Sequence, residues 1–214
     1  MVTRIELTPR DTDIVGILAR RVRLLSIDQL ARTFWKEVAR PVDAANRRVA
    51  ALTKEGLLER LTVLAHPEID LPAPVAVWKR GEAAPDFDAL AYRLRKRWNL
   101  PPRSTPVVIA SAGAGEWLGG RGGRRPRRSE ATHDLHLTAV YLKMRAEQPK
   151  RAARWISEAI IQAEGGGRDE KLPDAIIRNR AGATAIEMGG LYTAKKLAAF
   201  HDDCARRGMA YEIW

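Results

Sequence analysis

Apolar positions recur every three or four residues through the first third of the chain and then give way to shorter runs. Ile14, Ile17, Leu18 and Val22 lie at helical spacing behind Thr8, a good N-cap, and Pro9, an ideal first helical residue. Ser26 with Gln29 forms a capping box that opens a second helix, with Ile27, Leu30 and Ala31 on its apolar face. Pro41 opens a third helix. Val42, Ala45, Val49 and Leu52 mark its buried side, Arg40, Asn46, Arg47 and Arg48 decorate the rest, and Gly56 closes it. Residues 57–64 and 75–78 then read as two strands of a hairpin joined by a Pro-rich turn. Asp86 caps a further helix that ends near Trp98, and residues 107–110 form a short apolar strand.

The last third alternates. From His133 to about Glu147 the spacing predicts a helix with Leu137, Val140, Tyr141 and Met144 as its buried stripe. Residues 155–161 read as a strand, with a short helix as the alternative. Two apolar runs bounded by Gly and Pro follow, 171–177 and 184–190, and each carries one acid, Asp174 and Glu187. If the two runs pair as a hairpin, both carboxylates reach one edge of a sheet. A helix from Tyr192 to about Arg207 turns Leu197, Phe200 and Cys204 inward, Gly208 caps it, and residues 209–214 form a final strand. The fold class expected is mixed α/β.

Charge narrows the partners. The 214 residues carry a formal net charge of +11, with 45% hydrophobic residues, enough for a packed core. A chain this basic points to a polyanion, nucleic acid first and an anionic membrane second. No apolar run approaches the length of a membrane span and no signal peptide is visible, so a cytoplasmic protein is expected. The single cysteine, Cys204, excludes an intramolecular disulfide and a cysteine-based zinc site. The arginines of the 119–128 segment, Arg121, Arg124, Arg125, Arg127 and Arg128, sit among glycines and can neutralise phosphates; a solvated loop is the plainer alternative. Neither a phosphate-binding loop with its Lys nor a serine nucleophile elbow is present.

Three short helices followed by a hairpin, with basic residues on the third helix, resemble a winged helix-turn-helix, in which that helix enters the major groove. The later order of helix, three strands, helix and strand, with Pro173-Asp174 and then Glu187, resembles the PD-(D/E)xK nuclease superfamily. More narrowly, His133 with Leu135 opening a helix, Trp155 three residues before Glu158, Pro173-Asp174, and Glu187 at a strand end resemble the replication-relaxation family of plasmids and other mobile elements. The resemblance implies a winged helix followed by a restriction-endonuclease-like αβββαβ domain, divided as 1–80, a linker helix and Arg/Gly-rich loop at 81–128, and 129–214. It implies that Asp174 and Glu187 would ligate Mg²⁺, with Glu158 or His133 as auxiliary ligand or acid-base group. The lysine usual two residues after the second acid is replaced by Gly189, and Lys195 or Lys196 can substitute from the next helix.

Plainer roles stand beside these. Asp174 can be a turn acid, Glu187 can pair with Arg178 or Arg180, and His133 can be a helix cap. The function expected is a DNA-binding protein of a mobile element whose nuclease-like domain is either inactive or an Mg²⁺-dependent endonuclease or nickase. A transcriptional regulator with a dimerising C-terminal domain is a further alternative. The partners expected are DNA, a second copy of the chain, and other replication or transfer proteins, with no membrane.

Overall fold

The structure, a computed structural model, describes residues 5–167, 172–179 and 182–214. It is mixed α/β, and the chain falls into two compact units: one runs through His66 and resumes over Pro102–Leu142, and the other takes Pro67–Pro101 and Lys143–Trp214. Among the described residues no helix is long and apolar enough to cross a membrane.

The first unit begins with three helices whose starts are fixed locally. Helix α1 (Pro9–Arg20) is capped by a reciprocal pair: Thr8 Oγ1 accepts from the Asp11 N–H and the Asp11 carboxylate accepts from the Thr8 N–H. After the two-residue strand β1 (Leu25–Ser26), the Ser26–Gln29 box opens α2 (Ile27–Phe34). Gln29 is fully buried and also donates to the Leu135 carbonyl at 2.9 Å, so one side chain both caps and packs. Helix α3 (Pro41–Lys54) buries Ala45, Val49 and Leu52 completely. Val42, expected inside, is 43% exposed, because the first turn projects beyond the packed stripe.

Strand β2 (Leu58–Ala65) does not pair with residues 75–78 as the sequence suggests. Its partner is β4 (Arg103–Ala110), antiparallel over its full length from Leu58↔Ala110 to Ala65↔Arg103, while β3 (Ala76–Trp78) lies in the second unit. The reason is ladder length: an eight-residue strand finds an eight-residue partner, whereas β3 offers three residues behind a stretch containing Pro67, Pro72 and Pro74. The first sheet has the order β1-β4-β2. One of its faces packs Val107, Ile109 and Ala65 against Leu24, Ala131 and Leu135. Ala131 and Leu135 come from α6 (Ala131–Glu147), whose last turn belongs to the second unit.

Between the short α5 (Ala112–Trp117) and α6, the glycine-arginine segment has no regular structure but is strapped down. The Arg121 N–H donates to the Ala19 carbonyl at 2.7 Å and the Gly123 N–H to the Ala110 carbonyl at 2.8 Å. A Cβ on Gly122 would lie 2.0 Å from the Ser111 oxygen, and one on Gly120 2.2 Å from the Ala19 oxygen. These glycines are there because backbone meets backbone.

In the second unit the sheet order is β3-β8-β7-β6-β5. Residues 155–161 divide into β5 (Trp155–Ser157) and α8 (Glu158–Ala163), with Ser157 at the N-cap position and Glu158 as the acid of the first turn. Strands β5, β6 (Ala175–Asn179) and β7 (Gly182–Glu187) form an antiparallel meander. Helix α9 (Ala194–Arg206), capped by Thr193, then carries the chain to β8 (Ala210–Ile213), parallel to β7. The core joins Trp78, Ile176, Ala185, Leu197, Phe200 and Tyr211 to Leu94 of α4 (Phe87–Arg95). Lys171 and Arg180, named above in the first acidic run and as a partner for Glu187, lie outside the described residues.

Candidate nucleic-acid interface and acidic edge

On α3 the core stripe of Ala45, Val49 and Leu52 leaves the opposite face to solvent. Arg40, at the N-cap position, Arg47 and Lys54 are seven residues apart and exposed, so they fall nearly in line on that face with Asp43 and the small Ala50 between them. Asn46 is engaged locally: its Nδ2 donates to the Val42 carbonyl at 3.0 Å and its Oδ1 accepts from Arg60 Nη2 at 2.8 Å. Asn46 thus holds Arg60, an exposed residue of β2, beside the helix. The sequence reading missed Arg60. Its signal was the period-two alternation of β2, which puts Arg60 and Thr62 on the solvent face.

Arg48 is directed elsewhere. Its Nε donates to Asp11 Oδ1 at 2.8 Å, its Nη2 donates to Asp11 Oδ2 and to the Glu6 carbonyl, and Asp11 is 1% exposed. Burial pushes the Asp11 carboxyl up, but the hydrogen bonds from Arg48 and Thr8 and the charge of Arg48 outweigh it and hold it below the ordinary carboxylate value. Arg48 therefore joins α3 to α1.

The loop arginines divide as well. Arg124 pairs with Glu130 at 2.7 Å and Arg125 with Glu59 at 3.2 Å, with side chains 50% and 70% exposed. The Arg127 N–H donates to Glu130, leaving the Arg127 side chain outward, and Arg121 and Arg128 are exposed. His133 lies in the first unit, its Nδ1 3.6 Å from Asp134, which itself accepts from Arg23 at 2.7 Å. Asp174, Glu187, Glu158 and Lys196 all lie in the second.

There the register brings the acids together. Ser157 pairs with Ala175 and Ala175 with Ile186, so Glu158, Asp174 and Glu187 stand at one end of three neighbouring strands. The Glu158 N–H donates to the Asp174 carbonyl at 3.0 Å, and Glu158 Oε1 accepts from Gln162. Asp174 Oδ2 accepts from the Met188 N–H at 2.7 Å, and Glu187 Oε1 accepts from the Tyr192 hydroxyl at 2.7 Å. Lys196 sets its ammonium 3.3 Å from the centre of the Tyr192 ring. Burial, then the charges of Glu187 and Asp174, raise the Tyr192 phenol far above its ordinary range. Arg178, offered above as a partner for Glu187, is exposed at the opposite end of the hairpin, across from Ala183.

Gly189 stands at the position where the resemblance leads one to expect a lysine, and the space beside it is taken. A Cβ there would lie 2.6 Å from Leu94 Cδ2, and Leu94 is fully buried. Arg97 closes the same turn from the α4 side, its Nη2 donating to the Gly189 and Trp214 carbonyls at 2.6 and 2.8 Å. Burial, with the nearby charge of Arg93, lowers its guanidinium to about 10.

These residues do not suit a hydrated Mg²⁺, which keeps several waters in an octahedral shell. Each carboxylate already has an oxygen held by an N–H or O–H donor, and Glu187 is 2% exposed. Among the described residues no three His, Cys, Asp or Glu side chains converge as a cation cage. Comparison of the chain with protein-family models, with characterised proteins and with solved structures returns no match.

Proposed function

We propose that this chain binds duplex DNA through the first unit, with α3 as the helix that enters the major groove, and that the second unit is a nuclease-like core that does not cleave. The observation that carries the reading is the line of Arg40, Arg47 and Lys54 on the open face of α3, with Arg60 held beside it by Asn46. The connectivity supports it. Helix, strand, helix, helix and two strands with sheet order β1-β4-β2 resemble the layout of a winged helix-turn-helix, with β3 and α4 inserted in the chain between the last two strands. In the second unit, β5, β6 and β7 followed by α9 and the parallel β8 resemble the strand-helix-strand part of the PD-(D/E)xK core, with α8 inserted between β5 and β6 and β3 added at the sheet edge. Taken together, the two support a DNA-binding protein of the replication-relaxation kind, at home on a plasmid or other mobile element.

A second reading, an Mg²⁺-dependent endonuclease or nickase, has one observation in its favour: Glu158, Asp174 and Glu187 share a sheet end with Lys196 nearby. Incubation with supercoiled plasmid in Mg²⁺ and then Mn²⁺ separates the two. The proposal expects retarded, uncut plasmid. Nicking that vanishes in Asp174→Ala/Glu187→Ala would establish the nuclease instead, and plasmid that is neither retarded nor cut would refute DNA binding.

A further inference from the structure

We infer that the Tyr192 hydroxyl occupies the place a divalent cation would take beside Asp174 and Glu187, so that the acidic edge is a closed hydrogen-bonded latch on the 188–192 turn. The inference rests on the nuclease-like reading of the second unit and is independent of DNA binding by the first.

The turn is held at both ends and in the middle. At its start, Met188 donates its N–H to Asp174 Oδ2 at 2.7 Å, which ties the turn to the beginning of β6. At its finish, Tyr192 donates its hydroxyl to Glu187 Oε1 at 2.7 Å, which ties it back to the end of β7. Between them the Gly189 N–H donates to the Trp214 carbonyl at 2.9 Å, and Arg97 bridges the Gly189 and Trp214 carbonyls. Both carboxylates therefore act as acceptors for the chain's own donors. A cation would compete with those donors for one oxygen of each carboxylate, and Glu187 is too buried to admit the waters that would come with it.

The tyrosine is fixed by packing as well as by its hydroxyl. Its ring packs on the core of the second unit, one face is covered by the Lys196 ammonium, and its N–H donates to the Gly190 carbonyl at 2.8 Å. Lys196, the residue that would replace the missing motif lysine, is engaged on this ring. The position of the motif lysine itself is closed by Leu94. Each change removes one requirement of metal-dependent cleavage and adds a contact to the turn.

The test uses the full chain, with Mn²⁺ as the probe, read by electron paramagnetic resonance and by thermal melting in EDTA and in millimolar Mn²⁺. The wild type should bind no Mn²⁺ and melt alike in both. Tyr192→Phe, which keeps the ring and opens the hydroxyl's place to water, should melt lower than wild type in EDTA and gain Mn²⁺ binding that Tyr192→Phe/Asp174→Asn loses. If Tyr192→Phe fails to fold in EDTA, millimolar Mn²⁺ should restore its folding, and a variant that Mn²⁺ leaves unfolded would overturn the inference. Wild-type Mn²⁺ binding that Asp174→Asn or Glu187→Gln removes would overturn the inference. So would a Tyr192→Phe protein that binds no Mn²⁺ or melts like the wild type. Plasmid retardation, measured on the same preparations, reports on DNA binding alone.

Discussion

Replacing Arg48 by Met keeps most of the aliphatic stem but removes the guanidinium that neutralises Asp11. The variant loses the bonds from Nε to Asp11 Oδ1 and from Nη2 to Asp11 Oδ2 and the Glu6 carbonyl. Asp11, 1% exposed, keeps only the Thr8 donors, at 2.7 and 2.6 Å. Breaking a buried pair from one side costs about 3–5 kcal/mol. The Arg48 side chain is 27% exposed, which lets water take up part of the loss, so about 3 kcal/mol is expected. With a urea slope of about 2 kcal/mol per molar, the midpoint of unfolding should fall by about 1.5 M. The pH dependence follows from the lowered Asp11 carboxyl. The stabilisation is present above about pH 4, where the unfolded carboxyl is ionised, and is lost as pH falls through the lower folded value. Urea titrations of wild type and variant at neutral and at acid pH measure both effects, and the gap should narrow in acid. A midpoint shift below about 0.3 M at neutral pH would show that the pair is screened by solvent and refute the reasoning. A variant of unchanged stability that loses DNA affinity would return Arg48 to the DNA-contacting set.

Gly122→Ala should destabilise the first unit by about 1–3 kcal/mol, because its Cβ would meet the Ser111 carbonyl in rigid backbone; a melting temperature equal to wild type would show that the strap gives way freely. Tyr192 and Tyr211 both have phenols raised by burial, so in an alkaline titration of phenolate absorbance they should ionise only as the chain unfolds. The folded state then holds protons that the unfolded state releases, so stability should fall as pH rises above about 10. Ionisation of either residue in the folded chain would contradict the packing described.

What was legible in the sequence is what local chemistry decides. The Thr8–Asp11 and Ser26–Gln29 caps, and the helix opened by Asp86, can be read from residues three or four apart. The two acid-flanked apolar runs also pair antiparallel as expected, because strong strands close in sequence need no distant partner. Pairing between distant segments was not legible: β2 passes over the nearby β3 to join β4, and no pattern within either strand names its partner. For the same reason Arg48 looks like any other arginine on a helical wheel, since Asp11 sits on α1. The glycines of the arginine segment read as loop residues, whereas the structure uses their missing Cβ atoms for close approach. At the acidic edge, Gly189 was visible at the position where the nuclease resemblance would put a lysine. The Leu94 side chain that fills its space, and the Tyr192 hydroxyl on Glu187, belong to a helix and a turn that periodicity does not align.

The central claim is that α3 meets DNA. The most direct test is the dependence of duplex affinity on salt, measured by fluorescence anisotropy for the wild type and for Arg40→Ala/Arg47→Ala/Lys54→Ala. Removing one phosphate-binding cation should lower the slope of log K against log[salt] by about one, so the triple variant should bind more weakly with a slope shallower by about two to three. A triple variant that folds and binds with the slope and affinity of the wild type would contradict the claim.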